Sequence, residues 1–535
     1  MTVENVKAIP GRRIEFDSAL DMFEATVARS PEDDLIRYFD ASLSVREVDE
    51  LSDAFAVGLL DAGFEHGDRA VVYMQNVPQF VIAQLGIWKA GGIAVSANPM
   101  YKARELEEIL LDSGARVLIA LDSLYDDVAA RVLENVPVML VITTSDIEFR
   151  TSETTAVCAE SPTKSMAALL RDNGGRRPPA HRPRPGDAAL LTYTSGTTGP
   201  PKGAMTTHRN LVFNAQTYRD WVGLDSADVI LGVAPLFHIT GIVGHVGVAL
   251  LTGAPLVLMC RFDPEGAVAA IERHRATFTV GSITVFIAIM NAPNASRDAL
   301  GSLTKIYSGG APIPPSIVEE FLDRFGSVIH NIYGLTETTS PALAVPFGAS
   351  APVDHESGAL SVGVPVYDTV VRVCSEAGSE VPTGEVGELV IEGPQVVSGY
   401  WRKPEATASA LPNGALHTGD VGYRDGDGWF YIVDRKKDQI NASGFKVWPR
   451  EVEDVLYEHP SVREAAVIGV PDAYRGETVK AFVSLRPGSS ATGPELIEFA
   501  RERLAAYKAP REVVVLAEIP KTATGKMLRR ELRGS

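Results

Sequence analysis

Cysteine is nearly absent: Cys158, Cys260 and Cys374 are the three in 535 residues. They are far apart and odd in number, which argues against a disulfide framework and for a reducing compartment. No CxxC pair or His/Cys cluster is present to propose zinc. Basic charge is also in deficit, with 50 Lys and Arg against 68 Asp and Glu and a net charge of −18. A general nucleic-acid binder needs the opposite sign, although one local pocket can be positive on an acidic protein. Met1 to Phe16 carries Glu4, Arg12, Arg13 and Glu15 and no apolar core, so no signal peptide is expected and the location is read as cytoplasmic. Val229 to Cys260 lacks Asp, Glu, Lys and Arg over a length that could span a bilayer. Its five glycines, two prolines and two histidines argue instead for strand, loop, buried helix and strand inside a large core.

What is present is the balance of a globular protein, 45% apolar and 22% charged, on a chain too long for one core. Ser44 and Glu47 form a capping-box signature, and Val45, Val48, Leu51, Phe55 and Leu59 follow at helical spacing. Strands are predicted at Arg69–Met74, Ile93–Ser96 and Ala115–Leu121, with helices at Gln79–Lys89 and Glu105–Asp112 between them. This alternation implies an α/β fold of helix-covered, mostly parallel sheets. Asn173–Asp187, rich in Gly, Arg and Pro, reads as a solvated connector. Strand-rich patches such as Thr369–Cys374 and Glu388–Ile391 suggest a β-rich subdomain at about 340–436. After the charged run Asp434–Asp438, a helix (Pro449–Tyr457), two strands, a second helix (Pro494–Ala505) and a last strand (Glu512–Leu516) suggest a small α+β domain. The expected division is therefore 1–436 and 437–535, with a hinge at Lys437.

The chain is organised around Thr192-Tyr-Thr-Ser-Gly-Thr-Thr-Gly-Pro-Pro-Lys-Gly203. It follows an apolar strand, Ala188–Leu191. Glycines allow amide N–H groups to crowd an anion, hydroxyls add donors, and Lys202 adds charge, so the stretch is suited to phosphate. It is not a Walker loop, because two prolines keep Lys202 off the first turn of a helix begun at Gly199.

From Tyr193 to Gly203 the sequence resembles the phosphate loop of the adenylate-forming superfamily, which includes acyl-CoA synthetases, peptide-synthetase adenylation domains and luciferases. Further matches span Leu51 to Arg530. The resemblance implies ATP, Mg²⁺ and coenzyme A as co-substrates and cofactor. It assigns Thr194, Ser195, Gly196, Thr197, Thr198, Gly199 and Lys202 to the nucleotide phosphates.

Other motifs gain roles the same way. His238, in Pro235-Leu-Phe-His-Ile-Thr-Gly241, reads by itself as a core histidine; the resemblance puts it in an acyl pocket. Ser308-Gly-Gly-Ala-Pro312 ends a strand, and its glycines permit a flat ligand to approach backbone; by resemblance Gly310, Ala311 and Pro312 meet adenine. In Asn331-Ile-Tyr-Gly-Leu-Thr-Glu-Thr338, Glu337 is the hard carboxylate that Mg²⁺ prefers and Tyr333 offers a face for a base. The family implies nucleotide contacts from Asn331, Tyr333, Gly334 and Thr336, and a metal contact from Glu337 with Thr194. Asp420, in His417-Thr-Gly-Asp420, would accept from a ribose diol, helped by Arg435. Gly444, Phe445 and Lys446 would border a pantetheine tunnel. Lys526, in Pro520-Lys-Thr-Ala-Thr-Gly-Lys526, would be the adenylation lysine, in preference to Lys521.

The acid is expected to be a medium- to long-chain fatty acid, since Asp434–Glu453 resembles bacterial fatty-acyl-CoA synthetases. Gly241, Val280, Gly281 and Gly309, with Leu335, are expected to line its pocket and leave room for an alkyl chain. Thr284 departs from the proline many relatives carry. Loading of a carrier protein, an aryl or other acid, and a luciferase-like oxygenase remain as rivals. Neither a nucleic-acid partner nor an integral span is expected, and the assembly is read as monomer or homodimer.

Overall fold

The computed structural model describes residues 13–150, 163–194, 201–354, 358–435, 440–442, 445–472, 476–522 and 527–532. Among them the strands form four sheets. The first runs, in spatial order, Lys164–Ser165, Leu140–Thr144, Val117–Leu121, Arg69–Tyr73, Ile93–Ala97, Ala188–Thr194 and Lys202–Thr207. All neighbours are parallel except the last pair, an antiparallel hairpin. The second sheet carries the parallel strands Ile329–Tyr333, Lys305–Ser308, Phe278–Gly281, Ile230–Leu231, Leu256–Leu258 and Asp34–Tyr38, with antiparallel strands added at both edges.

The local sequence explains these elements. Val45–Asp61 begins with the anticipated reciprocal cap between Ser44 and Glu47. Pro78–Lys89 opens with proline at its first turn and is buried from Pro78 to Trp88. A helix apolar on every side has no solvent face to offer, so it sits between layers of the core. The Trp88 indole reaches the Ala189 carbonyl at 2.9 Å and ties this helix to the strand that ends in the phosphate loop. One apolar core continues through both sheets. The charge-free stretch resolves as expected into the strand Ile230–Leu231, helical turns from Ile239 to Thr252 and the strand Leu256–Leu258. No helix among the described residues is long and apolar enough to cross a membrane.

The β-rich part is an antiparallel sheet of Val370–Cys374, Gly387–Glu392, Leu416–Arg424 and Phe430–Arg435. The last sheet holds Phe445–Val447, Ile440–Ala442, Gly476–Leu485, Val462–Asp472 and Glu512–Leu516, against the helices Pro449–Tyr457 and Gly493–Arg501. It has its own apolar core around Val452, Leu456, Val467 and Leu496. One anticipated boundary differs: the second helix ends at Arg501, although Leu504 packs on the same core one turn further along. His417–Asp420 lies inside the strand Leu416–Arg424, where Val421 and Tyr423 extend the apolar alternation.

Candidate active site

Thr194 pairs directly opposite Lys202, and Tyr193 opposite Gly203. The strands on either side of the phosphate loop therefore pair as a hairpin, and Lys202 stands on the returning strand, off any helix. Ser195, Gly196, Thr197, Thr198 and Gly199 lie outside the described residues. The hairpin is fixed at its base. Tyr193 donates to Asp112 Oδ2 at 2.8 Å, and Lys403 Nζ meets Oδ1 of the same carboxylate at 2.6 Å. Burial and that carboxylate push the Tyr193 hydroxyl well above its ordinary pKa, so it remains a neutral donor.

Tyr400 connects the hairpin to the proposed metal carboxylate. Its chain docks along the returning strand: Trp401 N donates to Gly203 O at 2.8 Å and Met205 N to Gly399 O at 2.9 Å. The Lys202 ammonium lies 5.3 Å from the Tyr400 ring centroid. The Tyr400 hydroxyl donates to Glu337 Oε1 at 2.6 Å. Glu337 occupies a short turn, Thr336–Thr338, just beyond the strand Ile329–Tyr333. Its main-chain carbonyl accepts from Val397 at 2.9 Å. Both carboxylate position and backbone are thus held, while Oε2 has no hydrogen-bond partner among the described residues. This suits Mg²⁺, which takes one or two carboxylates and fills its remaining shell with phosphate oxygens and water. No cluster of three or more His, Cys, Asp or Glu able to hold a metal occurs among the described residues.

The adenosine side is assembled from neighbouring strand ends. Phe278–Gly281, Lys305–Ser308 and Ile329–Tyr333 are adjacent and parallel. Their C-terminal ends therefore bring together Val280, Gly281, Gly309, Gly310 and Tyr333, at the edge where ligands bind in such sheets. The Tyr333 hydroxyl donates to Asp420 Oδ2 at 2.7 Å, so the residues anticipated for base and ribose adjoin. Asp420 is buried, and the backbone of Arg435 pairs opposite it. The Asn331 amide donates to Ser361 O at 3.0 Å. Gly334 sits beside the same turn, where Leu335 N donates to Thr338 Oγ1 at 2.8 Å.

His238 precedes a helical turn, and its Nδ1 accepts from Thr240 N at 3.3 Å. Gly241 and Gly309 each pack closely against neighbouring backbone. A Cβ on Gly241 would overlap the Pro235 carbonyl, and one on Gly309 the Ile332 carbonyl. These glycines let backbone meet backbone. Ser282 and Thr284, the departure from the proline pattern, share a hydroxyl contact of 2.8 Å at the start of Ile283–Met290.

At the C-terminal side, Lys437, Gly444 and Lys526 lie outside the described residues. Phe445 and Lys446 begin the strand Phe445–Val447, with backbone paired to Ala442 and Asn441. Lys521 is committed to Glu464 at 2.6 Å.

Sequence reasoning passed over Tyr400, Asp112, Lys403 and Asn76. The buried Asn76 amide donates to the Gly232 and Ala234 carbonyls and accepts from Leu236 N, which fixes the loop before His238. Tyr400 had a faint signal, an aromatic pair directly after Gly399. Single polar residues such as Asn76 and Asp112, inside helical or loop sequence, gave none.

Residues 23–401 match the AMP-binding enzyme family, and residues 451–526 match the AMP-binding enzyme C-terminal domain. The chain is an AMP-binding enzyme. It is 37% identical over 537 residues to the long-chain-fatty-acid–CoA ligase of Bacillus subtilis, covering 95% of this chain and 92% of that one. It is also 37% identical over 504 residues to a feruloyl-CoA synthase of Amycolatopsis, covering 94% and 96%. Among solved structures, the anthranilate CoA ligase AuaEII bound to anthranoyl-AMP superposes with a TM-score of 0.88 at 26% identity, covering 100% and 98%. This AMP-binding enzyme therefore falls in the acyl-CoA synthetase branch of the adenylate-forming superfamily, an acid–thiol ligase class that uses ATP and coenzyme A.

Proposed function

We propose that this ligase converts a medium- to long-chain fatty acid into its acyl-CoA through an acyl adenylate. In the first half-reaction a carboxylate oxygen attacks the α-phosphorus of ATP, an acyl–phosphate bond forms, and the bond to pyrophosphate breaks. Such a step depends on positioning and on charge neutralisation. In the second, the thiolate of coenzyme A adds to the acyl carbon and AMP leaves.

The observation that carries the reading is the linked set Lys202, Tyr400 and Glu337. It holds a cation over the face of one aromatic ring and a metal-type carboxylate on that ring's hydroxyl, beside the phosphate hairpin. Bound Mg²⁺ would neutralise phosphate charge, with Glu337 and Thr194 as its protein contacts. Ser195, Gly196, Thr197, Thr198 and Gly199 would supply donors to the phosphates. Tyr333, Asn331, Gly334, Thr336, Gly310, Ala311 and Pro312 would hold adenine, and Asp420 with Arg435 the ribose. His238, Gly241, Val280, Gly281, Gly309 and Leu335 would border the acyl group. Lys526 would stabilise charge between the carboxylate and the α-phosphate. It must leave before coenzyme A enters past Gly444, Phe445 and Lys446, so 437–535 would turn against 1–436 about Lys437.

The feruloyl-CoA synthase supports a second reading, an aryl acid, because its identity equals that of the fatty-acid ligase. Pyrophosphate release from dodecanoate, hexadecanoate, ferulate and benzoate, with and without coenzyme A, separates the two. Turnover confined to the alkyl acids supports the first; turnover confined to the aryl acids replaces it with the second. Lys526→Ala is expected to lose at least a hundredfold in acyl-AMP formation while transferring supplied acyl-AMP to coenzyme A nearly normally. Equal loss in both steps would remove the assigned role.

A further inference from the structure

A cavity of about 160 Å³ opens at the opposite end of the phosphate-loop strand. Ala188, the first residue of that strand, lines it, whereas Thr194 at the other end belongs to the hairpin. At about 3.3 Å per residue the two ends stand roughly 20 Å apart. The cavity also touches Ile93 at the start of its strand, and Gly67 just ahead of Arg69–Tyr73, so it lies at the N-terminal edge of the sheet.

Its walls are flat rings. Trp88 and His208 are both buried and meet edge-on, with centroids 5.6 Å apart. His66 and His181 stand at the mouth with centroids 5.2 Å apart. At Gly91 φ is +79°, and a Cβ there would come within 3.0 Å of His66 Nδ1. The glycine keeps the space before that ring open.

The polar groups select further. His208 is only 2% exposed. Its Nδ1 accepts from Ala19 N at 3.4 Å, which places the ring proton on Nε2. That N–H has no protein hydrogen bond among the described residues and belongs to a side chain lining the cavity, so it is available to an acceptor from outside the protein. Burial lowers the pKa of His208 to about 4, and burial together with His66 lowers that of His181, so both rings are neutral near pH 7. Asp187 also lines the cavity and disfavours an anion, while the His208 N–H disfavours a cation. No three-ligand metal cluster exists among the described residues. The volume resembles that of an engineered apolar cavity of about 150 Å³ that takes up benzene.

We propose that this cavity is a second ligand site for a small, neutral, single-ring aromatic molecule carrying a hydrogen-bond acceptor, separate from the nucleotide cleft. The ring packs against Trp88, and its acceptor takes the His208 Nε2 proton in a hydrogen bond.

Acetophenone is a suitable probe, because it has the ring and the acceptor but no carboxylate to activate. Binding to the full chain is followed by calorimetry and by the imidazole ¹⁵N resonances. Saturable binding that shifts the His208 Nε2 resonance, and that is at least tenfold weaker for ethylbenzene, is expected. His208→Phe and the cavity-filling Ala188→Met, each checked for an unchanged far-UV spectrum, should each weaken binding at least tenfold. Absence of saturable binding to the unaltered protein would overturn the proposal whatever the variants do. So would equal affinity for ethylbenzene, undiminished binding in folded variants, or displacement of the probe by ATP with dodecanoate, which would put it in the nucleotide cleft.

Discussion

The Tyr400 hydroxyl does its work without ionising. Burial and the neighbouring Glu337 carboxylate push its pKa well above the ordinary phenol value, so it remains a donor at any pH the protein tolerates. A hydrogen bond to a charged group contributes roughly 1.5–3 kcal/mol. If that bond aligns Glu337 for the metal during phosphoryl chemistry, Tyr400→Phe should slow pyrophosphate exchange about ten- to a hundredfold. The apparent Mg²⁺ requirement should rise, and the KM for the acid should change little. Unaltered exchange in the folded variant would show that Tyr400 only packs.

Two buried histidines make a separate prediction. Desolvation lowers His208 to about 4 and His245 to about 3, against an ordinary value near 6.5. The folded state keeps both neutral while the unfolded chain protonates them. Their contribution is complete above pH 6.5 and is lost progressively as pH falls toward 4, at roughly one kcal/mol or more per pH unit for each group. Urea midpoints between pH 7 and pH 4 should fall accordingly. Replacing His245 with Gln should flatten part of that slope.

At the scale of elements, much was readable because local chemistry and fold agree. The reciprocal cap at Ser44 and Glu47 announced Val45–Asp61 before any tertiary contact was considered, and Pro449–Tyr457 was bounded by its proline and its apolar spacing. The Pro-Pro step likewise announced that Lys202 would not open a helix. What was hidden involved pairing across long separations. Asp112 and Lys403 are brought together only by the docking of Gly399–Trp401 on the returning strand, and no periodicity in either segment encodes that meeting. Gly309 shows the difference between a motif and its cause. Its paired-glycine signal was visible, but the reason is the Ile332 carbonyl packed against it from the next strand. Gly309→Ala should therefore destabilise the protein by about 1–3 kcal/mol through overpacking. Thermal unfolding would register it even without substrate; an unchanged midpoint would mean that the strand ends can separate at little cost.

For the whole molecule, the joint between the last sheet and the rest is polar. Arg486 pairs with Glu320 at 2.9 Å, and Arg450 donates to the Ile432 carbonyl at 2.7 Å. The Glu320 carboxyl is held below its ordinary pKa by the opposing guanidinium groups, against the cost of burial. The partly exposed Arg486–Glu320 pair contributes on the order of 1 kcal/mol or less, so it can orient a unit without locking it. If 437–535 turns between the half-reactions, Arg486→Ala should leave overall stability nearly unchanged and alter the balance between adenylation and thioester formation. Equal rates for both steps in the variant would separate this contact from the turn.

The connector between Asn173 and Asp187 illustrates how covalent continuity and cohesion can part company. Its four arginines lie at 176, 177, 182 and 184, and the last three each precede a proline, which shields them from trypsin-like proteases. Hydrolysis at the Arg176–Arg177 bond would sever the backbone of the enzyme's large part in one place. Yet Leu169 and Leu170 before the cut and Ala189 to Leu191 after it are buried in the same apolar mass. The halves would consequently travel as a single particle through a gel-filtration column and come apart only in denaturant.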